Sequence, residues 1–93
     1  MYIQIMSFSW DPDREAVLEE FISIADDARN ELKNIEGLQS ICGVRVTDGK
    51  LVINATYDTE GSASAALTKI HAILANLTAA PPEFQEGPII WEL

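Results

Sequence analysis

Cationic side chains are scarce in this 93-residue chain: six Lys and Arg stand against 15 Asp and Glu, for a formal net charge of −9. Nucleic-acid binding is driven largely by Lys and Arg displacing counterions from phosphates, so nucleic acid is excluded as a partner class. The same shortage argues against anionic membrane surfaces. Cysteine occurs once, at Cys42, and histidine once, at His71. A lone thiol rules out an intrachain disulfide framework, and the expected compartment is the reducing cytoplasm. One thiol and one imidazole fall short of an N/S metal site, and the carboxylates are scattered along exposed helix faces, so no metal is expected. Long apolar runs are missing as well. No segment suits a bilayer span, and the opening residues alternate instead of forming an apolar block behind a basic one, so no signal peptide is expected. Gly61-Ser62 is no phosphate loop, and no Ser-His-acid motif is visible.

What is present is apolar. Hydrophobic residues make up 47% of the chain. The length predicts one domain, residues 1–93. So much apolar surface in so small a domain predicts an oligomer or an enclosed pocket. The acids read as a solvated coat.

The segment from Gly37 to Asp58 organises the rest. It reads as two strands joined at Asp48-Gly49, a pair that suits a type I′ turn with positive φ at both positions. That turn sets Thr47 opposite Lys50, Val46 opposite Leu51, Val44 opposite Ile53 and Cys42 opposite Ala55. One face then carries Cys42, Val44, Val46, Leu51, Ile53, Ala55 and Tyr57. The other carries Ile41, Gly43, Arg45, Val52, Asn54 and Thr56. A bulge near Gly43 would alter this local register. Ahead of the hairpin, Tyr2 to Trp10 alternates as a strand, with Tyr2, Gln4, Met6, Phe8 and Trp10 on one face. Asp11-Pro12-Asp13 ends it and starts a helix running to about Asn34, striped by Val17, Phe21, Ile24, Ala28 and Leu32. After the hairpin, capping oxygens at Asp58 to Ser62 open a second helix that ends near Ala80, before Pro81-Pro82. Pro82 to Pro88 reads as a connector and Ile89 to Leu93 as a last strand.

Strand, helix, strand, strand, helix, strand is the α+β ferredoxin-like βαββαβ plan, a four-stranded antiparallel sheet with two helices on one face. Its open face would expose about ten side chains, many of them apolar, a patch that reads as an interaction surface. Packing two such sheets about a two-fold axis buries it, which predicts a homodimer.

In this order the segments resemble the dimeric α/β-barrel superfamily, and within it the antibiotic biosynthesis monooxygenase-like domains. Ile35-Glu36-Gly37-Leu38 resembles the family's step into the hairpin. Thr56 to Ala63 resembles its passage from the third strand into the second helix, and Pro81 to Pro88 resembles the tail of its small members. The resemblance implies a homodimeric barrel with a pocket between sheet and helices in each subunit. It implies one of two functions: a cofactor-independent monooxygenase acting on a small aromatic or quinol substrate, or a non-catalytic dimeric small-molecule-binding or regulatory module. No cofactor is expected. Haem-degrading relatives combine a strand-one asparagine, a helix-two tryptophan and a later histidine. This chain has Gln4 in the first strand and no tryptophan in the second helix, which argues against that activity.

His71 is a candidate general base, weighed against an ordinary place on a helix flank. Asn54 is a candidate oxyanion donor, weighed against a hydrogen bond inside the barrel. Arg45, Tyr57, Trp10 and Gln4 are candidate substrate contacts, although aromatics on strands more often pack in cores or interfaces. Cys42 reads as a small core residue.

Overall fold

The computed structural model describes residues 1–14, 16–77 and 82–93. Strand β1 (Tyr2–Ser9) leads to helices α1 (Ala16–Asp27) and α2 (Arg29–Lys33). Strands β2 (Leu38–Thr47) and β3 (Lys50–Tyr57), helix α3 (Glu60–Leu74) and strand β4 (Glu83–Pro88) follow. The strands form one antiparallel sheet in the order β2-β3-β1-β4. This is the expected ferredoxin-like α+β fold. Strict alternation builds it: Tyr2, Gln4, Met6 and Phe8 of β1 and Leu51, Ile53, Ala55 and Tyr57 of β3 are all buried, as the two-residue period of a strand requires. Val17 of α1 and Ala63, Ala66 and Ile70 of α3 close over them. Thr59 caps α3, its Oγ1 accepting from the Ser62 backbone N–H at 3.1 Å.

Four expectations are corrected. The first helix is not continuous to Asn34; it breaks at Ala28, where φ is −93° and ψ is 2°. Asp26 and Asp27 end α1, whose last turn has no basic residue, and carboxylates there oppose the negative pole of the helix. The helix also starts late, at Ala16, because Asp11 first builds a turn. Asp11 Oδ1 accepts from the Asp13 N–H at 3.0 Å, and the Asp11 carbonyl accepts from the Arg14 N–H at 2.8 Å.

The hairpin turns at Asp48-Gly49, but Gly49 alone there has positive φ, at 79°, so the turn is not type I′. One extra residue sits between Arg45 and Thr47, and the observed pairs are Arg45 with Leu51, Gly43 with Ile53 and Ile41 with Ala55. A slip of one residue exchanges the faces of a strand. Ile41, Gly43 and Arg45 therefore lie on the helix side, and Cys42, expected in the core, is exposed.

The last strand is Glu83–Pro88, paired with β1, and not Ile89–Leu93. An edge strand tolerates charge and proline, which is how this acidic, Pro-ended segment serves as one. Beyond it Ile90, Trp91 and Leu93 stand exposed. Finally, α3 stops at Leu74 instead of near Ala80, with the Leu77 N–H closing a last turn on the Leu74 carbonyl at 3.0 Å. Thr78, Ala79 and Ala80 of the expected helix end lie outside the described residues.

Candidate functional site

On the helix side an open cleft of about 270 Å³ lies between α1, α3 and the β2–β3 hairpin. Its position follows from Gly43. A Cβ at that residue would lie 2.8 Å from Phe21 Cε2 and 2.9 Å from Phe21 Cζ, so the bare backbone lets the phenyl ring lie directly on β2. The Phe21 ring forms one wall, with Ile41 and Ile53 from the sheet and Ile70, Ile73 and Leu74 from α3. Asp26 and Arg29 stand at the mouth, joined by Arg29 Nε donating to Asp26 Oδ1 at 2.9 Å. A concave, mostly apolar site with a few polar groups is what a small ligand needs. Its volume, just under the usual range of roughly 300–1,000 Å³, suits a molecule of one or two rings.

The six residues singled out from the sequence fall in four places, none on the cleft wall. Gln4 and Tyr57 lie together in the core, both fully buried. Gln4 Nε2 donates to the Ala63 carbonyl at 3.1 Å. Gln4 Oε1 and the Tyr57 hydroxyl have no partner among the described residues. Burial pushes the Tyr57 phenol up to about 12. Arg45 and Trp10 meet at the hairpin end, where Arg45 Nη2 donates to Asp48 Oδ1 at 2.8 Å; the gap beside them, about 10 Å³, is too small for a ligand. Asn54 pairs with Ile5 and Cys42 on the open face of the sheet, opposite the helices. His71 is on the outer side of α3, its ring edge-to-face with Phe84 at 6.5 Å. Asn54 and His71 therefore lie on opposite sides of the sheet and do not converge.

Nearby, Tyr2 donates its hydroxyl to Glu86 Oε1 at 2.7 Å, and that bond, with burial, pushes its phenol up to about 12. The Ser62 hydroxyl beside Asp58 holds that carboxyl below its ordinary value. Sequence reasoning placed Phe21 on the apolar stripe of the first helix and named none of Ile41, Ile73, Leu74 and Arg29 as a site residue. The available signal was Gly43: a glycine inside a strand often marks a close approach by another group. Among the described residues no helix is long and apolar enough to cross a membrane.

No protein-family model matches the sequence, and no curated protein matches it. Solved structures do. The chain is similar to the monooxygenase from the gene ActVA-Orf6 of Streptomyces coelicolor in complex with nanaomycin D, with 18% identity over 99% of this chain and 89% of that one and a TM-score of 0.74. It is similar to a Deinococcus radiodurans protein presumed to be an antibiotic biosynthesis monooxygenase, with 12% identity over 100% and 96% of the two chains and a TM-score of 0.75. A dimeric ferredoxin-like protein from an uncultured marine organism matches with 14% identity over 99% and 96% and a TM-score of 0.74. At such identities the likeness is one of fold: this chain has the ferredoxin-like α+β fold of the antibiotic biosynthesis monooxygenase-like proteins.

Proposed function

We propose that this protein is a homodimeric, antibiotic biosynthesis monooxygenase-like protein, one domain spanning residues 1–93, that takes a small aromatic compound of phenol or quinol type into the cleft between its helices and its sheet. The observation that carries the reading is the cleft itself, apolar on nearly every wall and backed by the Phe21 ring. The dimer is supported by where the acids are not. Strands β1, β2 and β3 contain no Asp or Glu in a chain with 15 of them. The open face they present carries Ile3, Ile5, Cys42, Val44, Val52, Asn54 and Thr56, so two copies can meet there without charge repulsion. A chain of this charge would otherwise repel its copy.

In the enzymatic form of this reading the substrate's own electrons reduce dioxygen, one oxygen atom entering the product and the other leaving as water, with no resident cofactor. The fold likeness to a monooxygenase holding a ring ligand supports it. The cleft would exclude water and orient the ring. Asn54 and His71, proposed as polar participants, and Arg45, Tyr57, Trp10 and Gln4, proposed as substrate contacts, do not line the cleft; they stay as positions to test, and in this reading the cleft walls hold the ring. A second reading, a dimeric binding or regulatory module without chemistry, is favoured by the aliphatic lining and by Asn54 and His71 lying away from the cleft.

The test is native mass spectrometry followed by oxygen uptake over a panel of quinols and phenols. A dimer that binds a ring compound and consumes oxygen with it supports the enzyme; binding without uptake supports the module. Under the enzyme reading, Asn54→Ala and His71→Ala lower turnover. Unchanged turnover in both would remove those roles and leave the chemistry with the cleft. Ala25→Trp, which fills the cleft, abolishes binding under either reading.

A further inference from the structure

Six Lys and Arg serve the whole chain, and two of them, Arg29 and Lys33, edge the same groove. The cleft shares Arg29, Leu32 and Ile41 with an adjoining depression of about 320 Å³ between α2 and the start of β2. The two run into one another. Lys33 lines the outer part, with Gln39 and Ser40 beside it. Arg29 and Lys33 are four residues apart on α2, so their side chains share one helix face. Asp26 is the one carboxylate on either wall. Arg29 engages it through Nε alone, and no described residue partners its two Nη atoms. Lys33 forms no ion pair among the described residues. The Arg29–Asp26 pair is largely exposed, at 70% and 54%, and such pairs contribute little, so a competing anion displaces Asp26 at small cost. In a chain with net charge −9, an apolar cleft that opens onto two incompletely partnered cations is selective by charge as well as by shape.

We infer that the ligand of this groove is an anion: a one- or two-ring aromatic acid or phenolate, its ring in the cleft and its charged oxygens held between Arg29 and Lys33. Guanidinium and ammonium groups bind such oxygens by charge-assisted hydrogen bonds. This rests on the proposed reading of the cleft as a ligand site.

Two two-ring probes separate the two ideas. Naphthalene-2-sulfonate and naphthalene share one aromatic body and differ by the sulfonate. Titrated into the intact chain, the sulfonate binds about tenfold or more tightly than the neutral probe, as a bidentate charge contact would give. In Arg29→Gln/Lys33→Gln, two exposed positions whose replacement leaves the circular dichroism unchanged, the sulfonate loses that advantage while the neutral probe is unaffected. Equal binding of both probes to the intact chain, or a sulfonate affinity untouched by the double variant, overturns the anion inference and leaves the cleft a neutral site. If neither probe binds, or if both still bind Ala25→Trp, the cleft is not the ligand site, and the proposed function fails with the inference.

Discussion

Tyr57 holds a hydroxyl in the core with no partner among the described residues, and such a group costs about 1–3 kcal/mol of desolvation. Tyr57→Phe removes it and keeps the ring. The expected outcome is an unfolding free energy from urea titration equal to or above that of the natural chain, by up to about 1 kcal/mol. Gly37 is the opposite case. Its φ is +81°, and a Cβ there would run into Ser62 and into Asp58 Oδ1. Gly37→Ala should cost about 2–4 kcal/mol, from the left-handed backbone together with overpacking. Both tyrosines with raised phenols link stability to pH in one direction. Each is held near 12, above its ordinary 10. The fold therefore favours the neutral phenol, and this contribution is full below pH about 10 and lost as pH rises toward about 12. Melting temperatures measured across that window should fall, with tyrosinate absorbance appearing together with unfolding.

The elements were legible where one face was plainly apolar and the other plainly polar. Alternation grouped Tyr2, Gln4, Met6 and Phe8 of β1 and Leu51, Ile53, Ala55 and Tyr57 of β3 on single faces, which are the buried ones, without saying for β1 which face turns inward. Capping oxygens around Thr59 placed the start of α3. What stayed hidden in β2 had a physical reason. Ile41, Cys42, Val44 and Val46 put apolar groups on both faces, so no pattern marked the extra residue, and the wrong face was assigned inward. The break at Ala28 was masked because the apolar stripe runs on through it to Leu32. The six candidate site residues were chosen by chemical type, and type alone does not say which side of a sheet a residue will occupy. The cleft depends on a contact between α1 and β2 that only the bulged register creates. Gly43→Val should drive Phe21 off the strand and into the cleft, destabilising the chain by about 1–3 kcal/mol and weakening binding of either probe. Equilibrium unfolding and probe titration of the one variant measure both effects.

At the scale of the proposed dimer, the open face of β1, β2 and β3, which carries no carboxylate, makes a sharp prediction. Val52 lies half-buried on that face, opposite Val44 and Ser7. Val52→Glu puts a carboxylate on the proposed interface of each copy, one strand away from Glu83, without disturbing the core beneath. Native mass spectrometry should show a monomer with unchanged far-ultraviolet circular dichroism. A dimer that survives the change would place the interface on another surface. The proposed interface follows the charge distribution: most acids lie on helices, turns and β4, where an approaching second copy would meet like charge.

The single additional residue between Arg45 and Thr47 works as a parity bit for the hairpin. With it, β2 turns Gly43 toward Phe21 and Cys42 outward; the same residues paired without it would carry Val44 and Cys42 on the helix side. Those side chains would then press on the phenyl ring that now rests on bare backbone, and Ile41 would move to the outer face. Deleting Val46 itself removes the extra residue and leaves Arg45 opposite Leu51 and Gly43 opposite Ile53, so that variant should keep the cleft and still bind either probe.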